Sequence, residues 1–137
     1  MIKYLLDTNI CVYLIKKNNP EVFKRFQIHD IGTVGVSSIT VAELQYGVDK
    51  SAFPDKNNKA LQDFLDPLEI LPFEYDACDP YGKIRAQLER AGKTIGPLDF
   101  LIAAHAISLN AILVTNNVKE FSRIEKLKIE NWVDQLS

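Results

Sequence analysis

Two hydrophobic rhythms run along the chain. Short stretches rich in apolar residues occur at 3–6, 33–36, 69–71, 111–114 and 127–129. Runs of that length, bounded by turn residues, predict buried strands. Between them lie longer stretches with apolar positions three and four apart, the helical period. Ile10 to Ile15 forms a first, buried helix that Lys16, Lys17, Asn18, Asn19 and Pro20 bring to an end. Helical spacing follows over 21–28, from Thr40 to about Val48, and over 57–66, where Leu61, Phe64 and Leu65 share one side. The clearest helix spans Asp76–Ala91, with Ala77, Tyr81, Ile84, Leu88 and Ala91 on one face, Pro80 in its first turn and Gly92 as its stop. A strongly apolar helix begins at Pro97 and runs to about Leu109, and a short one covers 118–123.

Strands interleaved with helices imply an α/β fold with a mainly parallel sheet, because parallel strands need long crossovers. At 137 residues the chain is expected to form one domain over 1–137. Ligands in such sheets bind beyond the carboxyl ends of the strands, which directs the search for chemistry to those positions.

Composition narrows the picture. Apolar residues make up 47% and charged residues 25%, the balance of a globular domain. Cys11 and Cys78 form no disulfide framework or CxxC pair, and both are expected to act as small buried hydrophobes in a reducing compartment. The N-terminus is too soon interrupted by Asp7 for a signal peptide, and no apolar run approaches a membrane span. The expectation is a soluble, cytoplasmic protein with no membrane partner. The formal charge of −2 argues, at first sight, against a nucleic-acid binder.

The acids qualify that argument. Asp7 stands at the end of the first strand, followed by Thr8 and Asn9. It serves either as a helix N-cap or as part of a site. Glu43 lies in Thr40-Val41-Ala42-Glu43, which fits a capping box with Thr40 as N-cap, although the apolar flanks suggest an enclosed helix start. Asp99 falls in the first turn of an almost wholly apolar helix, in Gly96-Pro97-Leu98-Asp99. After the strand 111–114 come Thr115, Asn116, Asn117 and Glu120, which form either a site or an asparagine-rich turn.

Each acid has an ordinary structural role, but together they conflict. Two carboxylates about 5 Å apart at an effective dielectric near 20 cost on the order of 3 kcal/mol. A hard divalent cation removes that penalty and brings hydrolytic chemistry. His29 and His105 are the only histidines, and His105 is expected to be packed or at the surface rather than a ligand.

These stretches together resemble a PIN-domain ribonuclease, and within that family the VapC toxins of bacterial toxin–antitoxin systems. The resemblance rests on Asp7-Thr8-Asn9, Ile39-Thr40-Val41-Ala42-Glu43-Leu44 with Gly47, Gly96-Pro97-Leu98-Asp99 with Ile102-Ala103-Ala104-His105-Ala106, and Val114-Thr115-Asn116-Asn117 with Glu120-Phe121. It spans essentially the whole chain. It implies a Mg²⁺-dependent endoribonuclease, with Mn²⁺ able to substitute. Asp7 and Asp99 would be direct ligands, Glu43 would bind directly or through water, and Thr115 would be the hydroxyl residue. The family's fourth acid is an Asp where this chain has Asn117, so either Asn117 acts as a neutral group or Glu120 takes its place. The resemblance also implies a homodimer, a cognate VapB antitoxin that fills the active-site groove, operator DNA reached only through that antitoxin, and a tRNA substrate. Initiator tRNA, cut in its anticodon loop, fits best.

RNA would be held by Asn9 and by Arg85, Arg90 and Lys93, which lie on or just after the long helix with Lys83, unless they are only a solvated face. Tyr13, Phe23, Phe53 and Phe64 either serve an interface or, as ordinary packing suggests, the core. Setting the four site acids aside leaves a mildly basic remainder, so the net charge no longer counts against RNA. Two other readings remain open. One is a phosphatase or receiver with an Asp nucleophile, although position 9 is Asn9 where a phosphatase wants a second Asp. The other is a non-catalytic interaction module that keeps the fold and loses the chemistry at Asn117.

Overall fold

The short apolar runs pair side by side into one parallel sheet, and the periodic segments close over both of its faces. The structure is a computed structural model that describes residues 1–133; residues 134–137, the end of the expected domain, lie outside it. The order is β1 (Tyr4–Leu6), α1 (Thr8–Lys16), α2 (Pro20–Gln27), β2 (Val34–Ser37), α3 (Ser38–Asp49), α4 (Pro54–Leu65), β3 (Glu69–Leu71), α5 (Cys78–Arg90), α6 (Pro97–Leu109), β4 (Ile112–Val114), α7 (Val118–Phe121) and β5 (Ile129–Glu130). Single 3₁₀ turns precede β2 and α5. The expected elements are all present, with boundaries shifted by a few residues.

The strands lie in the order β3-β2-β1-β4-β5, all parallel. The chain builds outward from β1 to one edge, then crosses back to lay β4 on the other side of β1. That reversal opens a crevice at the carboxyl ends of β1 and β4, where such sheets bind ligands. Because side chains alternate along a strand, Tyr4 and Leu6 enter one core and Leu5 the other. The first core packs under α1 to α4, the second under α5 and α6. Helix α6 buries Phe100, Ile102, Ala103, Ala104, His105 and Ala106, as its unbroken apolar sequence requires. Gly35 in β2 is a true close approach: a Cβ there would sit 2.9 Å from Leu71 Cδ1 and 3.0 Å from the Glu69 carbonyl oxygen. Gly92 ends α5 in the left-handed region (φ 69°), and Lys93 N–H then donates to the Leu88 carbonyl.

Five expectations need correction. Helix α3 begins two residues before Thr40, because the Ser37 hydroxyl accepts from Ile39 N–H and caps it directly off β2. There is no Thr40–Glu43 capping box; Thr40 is buried and Glu43 falls in the second turn. Cys11 is buried, but Cys78 is exposed at the start of α5, about a third of a helical turn away from the face that buries Ala77 and Ile84. Ala91, expected on that face, follows the last turn and is exposed. Tyr13 and Phe64 pack partly against the core, whereas Phe23 and Phe53 are exposed, at 44% and 69%.

Candidate active site

Every candidate acid comes from an element that starts or ends at the carboxyl edge of the sheet. Asp7 follows β1 directly. Its backbone N–H donates to the Val114 carbonyl (3.0 Å), locking it to the end of β4. Its Oδ1 accepts from Ile10 N–H (3.0 Å), so it does cap α1. It is also only 5% exposed, which a simple cap does not require. Thr115, fully buried after β4, donates its hydroxyl to the Asp7 carboxylate and accepts from Asn117 N–H (2.9 Å).

Asp99 lies in the first turn of α6, whose N-cap, Gly96, has no side chain to offer. A Cβ on Gly96 would lie 3.4 Å from Asp99 Oδ2, so the glycine leaves this carboxylate room over the helix N-terminus. Glu43 is held from across the sheet edge by the Thr8 hydroxyl, which donates to Oε1 at 2.6 Å. Glu120 on α7 accepts from Asn117 Nδ2 (2.6 Å).

The acids sense one another. Burial pushes the Asp7 carboxyl up to about 6, and the charges of Asp99 and Glu43 add to the rise. The hydrogen bonds from Thr115 and Ile10 oppose it. Burial also raises Asp99 to about 6, with Glu43 and then Glu120 contributing. Among the described residues, none of the ion pairs involves these four acids. Buried like charges without a counterion are expensive, and that is what a bound cation would relieve.

The donor set fits a hard divalent ion, being all carboxylate, hydroxyl and amide oxygen. Among the described residues no three His, Cys, Asp or Glu side chains form a ready-made cage. Mg²⁺ does not need one, since it commonly takes one or two carboxylates and keeps several waters. Asn117 and Glu120 stand together: Asn117 Nδ2 donates to Glu120, and Asp99 feels the charge of Glu43 first and of Glu120 second.

The basic candidates separate. Asn9 is exposed in the first turn of α1. Arg85 is half-buried, bonded to Glu89 and Tyr81 and laid over the Phe100 ring. Lys83 pairs with Asp79. Arg90 and Lys93 are exposed at and after the end of α5, and Arg90 lines a groove with Lys83, Ile124 and Lys126 rather than facing the acids. Two bonds gave no clear sequence signal, that of Thr8 to Glu43 in the site and that of Arg123 outside it. The Arg123 Nη1 donates to the Thr94 carbonyl (2.9 Å) and ties the turn after α7 to the segment leading into α6. A hydroxyl right after a strand-end acid was the only hint at Thr8. Beside Glu43 opens a largely apolar groove of about 280 Å³ between α1, α3 and α4, lined by Thr8, Val12, Leu44, Val48 and Leu61 among others.

Residues 4–127 match the PIN domain family. A relative from Haemophilus influenzae, "Ribonuclease VapC2", is 48% identical over 133 residues, 97% of this chain and 100% of the relative. The "tRNA(fMet)-specific endonuclease VapC" of Shigella flexneri is 41% identical, covering 96% of this chain and 99% of the relative. The toxin chain in the crystal structure of VapBC2 from Rickettsia felis, bound to a promoter DNA fragment, superposes with a TM-score of 0.90 at 48% identity, over 96% of this chain and 99% of that one. With sequence and fold in agreement, the chain belongs to the PIN-domain family, among its VapC ribonucleases.

Proposed function

We propose that this chain is the toxin of a toxin–antitoxin pair, acting in the cytoplasm as an endoribonuclease that uses Mg²⁺, or Mn²⁺ in its place. The observation that carries this reading is the placement of Asp7, buried at the end of β1, and Asp99, in the first turn of α6, where burial raises both carboxyls and each feels the charge of Glu43. Asp7 and Asp99 hold the ion, and Glu43 binds it directly or through water. The ion supplies charge for a phosphate oxygen and activation of a water when bound. Thr115 fixes the orientation of Asp7, and Thr8 fixes that of Glu43. Glu43 then uses its other oxygen, Oε2, to orient the attacking water for in-line cleavage of the RNA phosphodiester. Glu120, steadied by Asn117, adds negative charge at the far side of Asp99.

The substrate is tRNA, and the name of the Shigella relative favours initiator tRNA. A loop suits the site, because unstacked bases are accessible where duplex bases are not. Asn9, Arg90 and Lys93 contact the RNA, with Arg85 in a lesser role. The apolar groove beside Glu43 suits the antitoxin, whose inhibiting segment lays an apolar face there and a basic group against the acids. The working assembly is a homodimer of this chain joined to its antitoxin, which alone contacts operator DNA.

The test is cleavage of initiator and elongator tRNA by the purified chain, with Mg²⁺ or with chelator. Metal-dependent cleavage of the initiator species, abolished by Asp99→Asn, is expected. Cleavage by Asp99→Asn at the wild-type rate would remove Asp99 from the mechanism, and no cleavage of any RNA would favour a non-catalytic module.

A further inference from the structure

The metal-site reading leaves three buried polar side chains unused, Ser37, Thr40 and His105. His105 is 2% exposed in the middle of α6, six residues after Asp99. Its Nδ1 lies 2.8 Å from the Ser37 hydroxyl, and Ser37 is fully buried six residues before Glu43. Burial disfavours a charged ring, against the pull of Asp76, Glu74 and the Pro72 carbonyl. A neutral ring donates to that carbonyl from one nitrogen and accepts from Ser37 with the other. Ser37 is then fully used, donating to His105 and accepting from Ile39 N–H at 3.0 Å to cap α3. The Phe73 ring closes the cluster, steeply inclined to the imidazole with ring centres 5.6 Å apart, and Phe73 N–H donates to the Ser38 hydroxyl.

Helices α3 and α6 touch, and Asp99 feels the charge of Glu43. Six helical residues rise about 9 Å, so the His105–Ser37 bond ties the two helices within about two turns of both acids. We infer that His105 is a positioning residue: its bond to Ser37 fixes α6 against α3 and thereby sets the separation of Asp99 from Glu43. The inference rests on the ribonuclease reading above. A joint fixed this way controls the metal site as an outer partner does, and losing such partners costs about 10–100-fold in metal affinity or activity.

The experiment compares wild type with His105→Leu, His105→Asn, Ser37→Ala and the Leu/Ala double variant. Mn²⁺ binding is followed by calorimetry, tRNA cleavage gives kcat and KM, and thermal unfolding reports stability. His105→Leu and Ser37→Ala should each weaken Mn²⁺ binding and lower kcat about tenfold or more, with KM little changed. The double variant should be no worse than either single variant. His105→Asn, which returns an acceptor near Nδ1, should recover most of the loss. Wild-type Mn²⁺ affinity in folded His105→Leu would overturn the inference, as would additive losses or failure of Asn to rescue. A wild type that binds Mn²⁺ but cleaves no RNA would sink the ribonuclease reading alone, because the Mn²⁺ comparison still decides the role of His105. A wild type that binds no Mn²⁺ would overturn both.

Discussion

The Thr8 hydroxyl donates to Glu43 Oε1 at 2.6 Å, joining the start of α1 to the second turn of α3 across 35 residues of sequence. The bond places a side chain from one strand end against an acid from the neighbouring strand's helix. Thr8→Val keeps the shape and removes the donor. Its expected effect is a roughly tenfold loss in single-turnover cleavage, with folding intact. Thr8→Ser should cleave close to wild type, and equal rates in all three proteins would show that the bond is idle.

The raised Asp7 and Asp99 carboxyls set a pH dependence for the metal-free protein. Their folded values of about 6 exceed the ordinary 3.8. The folded state therefore binds protons more tightly, and stability is lost as pH rises through about 6. For buried Asp7 alone the loss is on the order of 2–3 kcal/mol. In chelator, the unfolding temperature should fall between about pH 4 and pH 6.5, and Asp99→Asn should flatten that fall. Added Mg²⁺ should restore stability above pH 6 and do little below it, where protons compete. A profile unchanged by Asp99→Asn would remove Asp99 from the cause.

Asn117→Asp restores the family's fourth acid and destroys the bond to Glu120. It sets a carboxylate against a carboxylate at a half-exposed place, a cost on the order of 1 kcal/mol after solvent screening. The metal-free variant should unfold a few degrees lower, and Mg²⁺ should raise its unfolding temperature more than it raises that of wild type. Weaker Mg²⁺ stabilisation would mean that the native amide, not an added charge, serves the ion.

Arg90 and Lys93 are exposed. If they touch phosphates, Arg90→Ala should raise KM, leave kcat unchanged and shallow the salt dependence of tRNA binding by about one ion. An unchanged salt slope would leave these residues as a solvated face.

Gly35→Ala tests the fold rather than the site. The added methyl meets the backbone oxygen of Glu69 at 3.0 Å as well as Leu71, and a strand cannot swing aside as a side chain can. A loss of about 1–3 kcal/mol in denaturant unfolding is expected. Wild-type stability would show that β2 and β3 part easily.

Local pattern made the strands, the long helices and the parallel sheet legible, because side-chain periodicity and burial are written directly in the order of residues. Pro97 and Gly92 marked helix ends through backbone constraints that need no partner. Asp7 and Asp99 stood out through their strand-end and helix-start positions, Glu43 through its apolar flanks. The start of α3 was not: Thr40 and Glu43 have capping-box spacing, and only the run of β2 straight into Ser37 shows which hydroxyl caps the helix. The exposure of Cys78 and Phe53 was equally hidden, since an apolar residue is buried only if another element covers it.

The sequence by itself therefore determined the elements, the architecture and the candidate acids, through side-chain periodicity and local backbone chemistry. Tertiary structure alone decided that Thr8 serves Glu43, that Asn117 is spent on Glu120, that Arg85 is tied up while Arg90 is not, and that His105 meets Ser37 across 68 residues. Those relationships depend on how helices sit across a sheet, and a few ångströms of packing, invisible in residue order, separate a hydrogen bond from none.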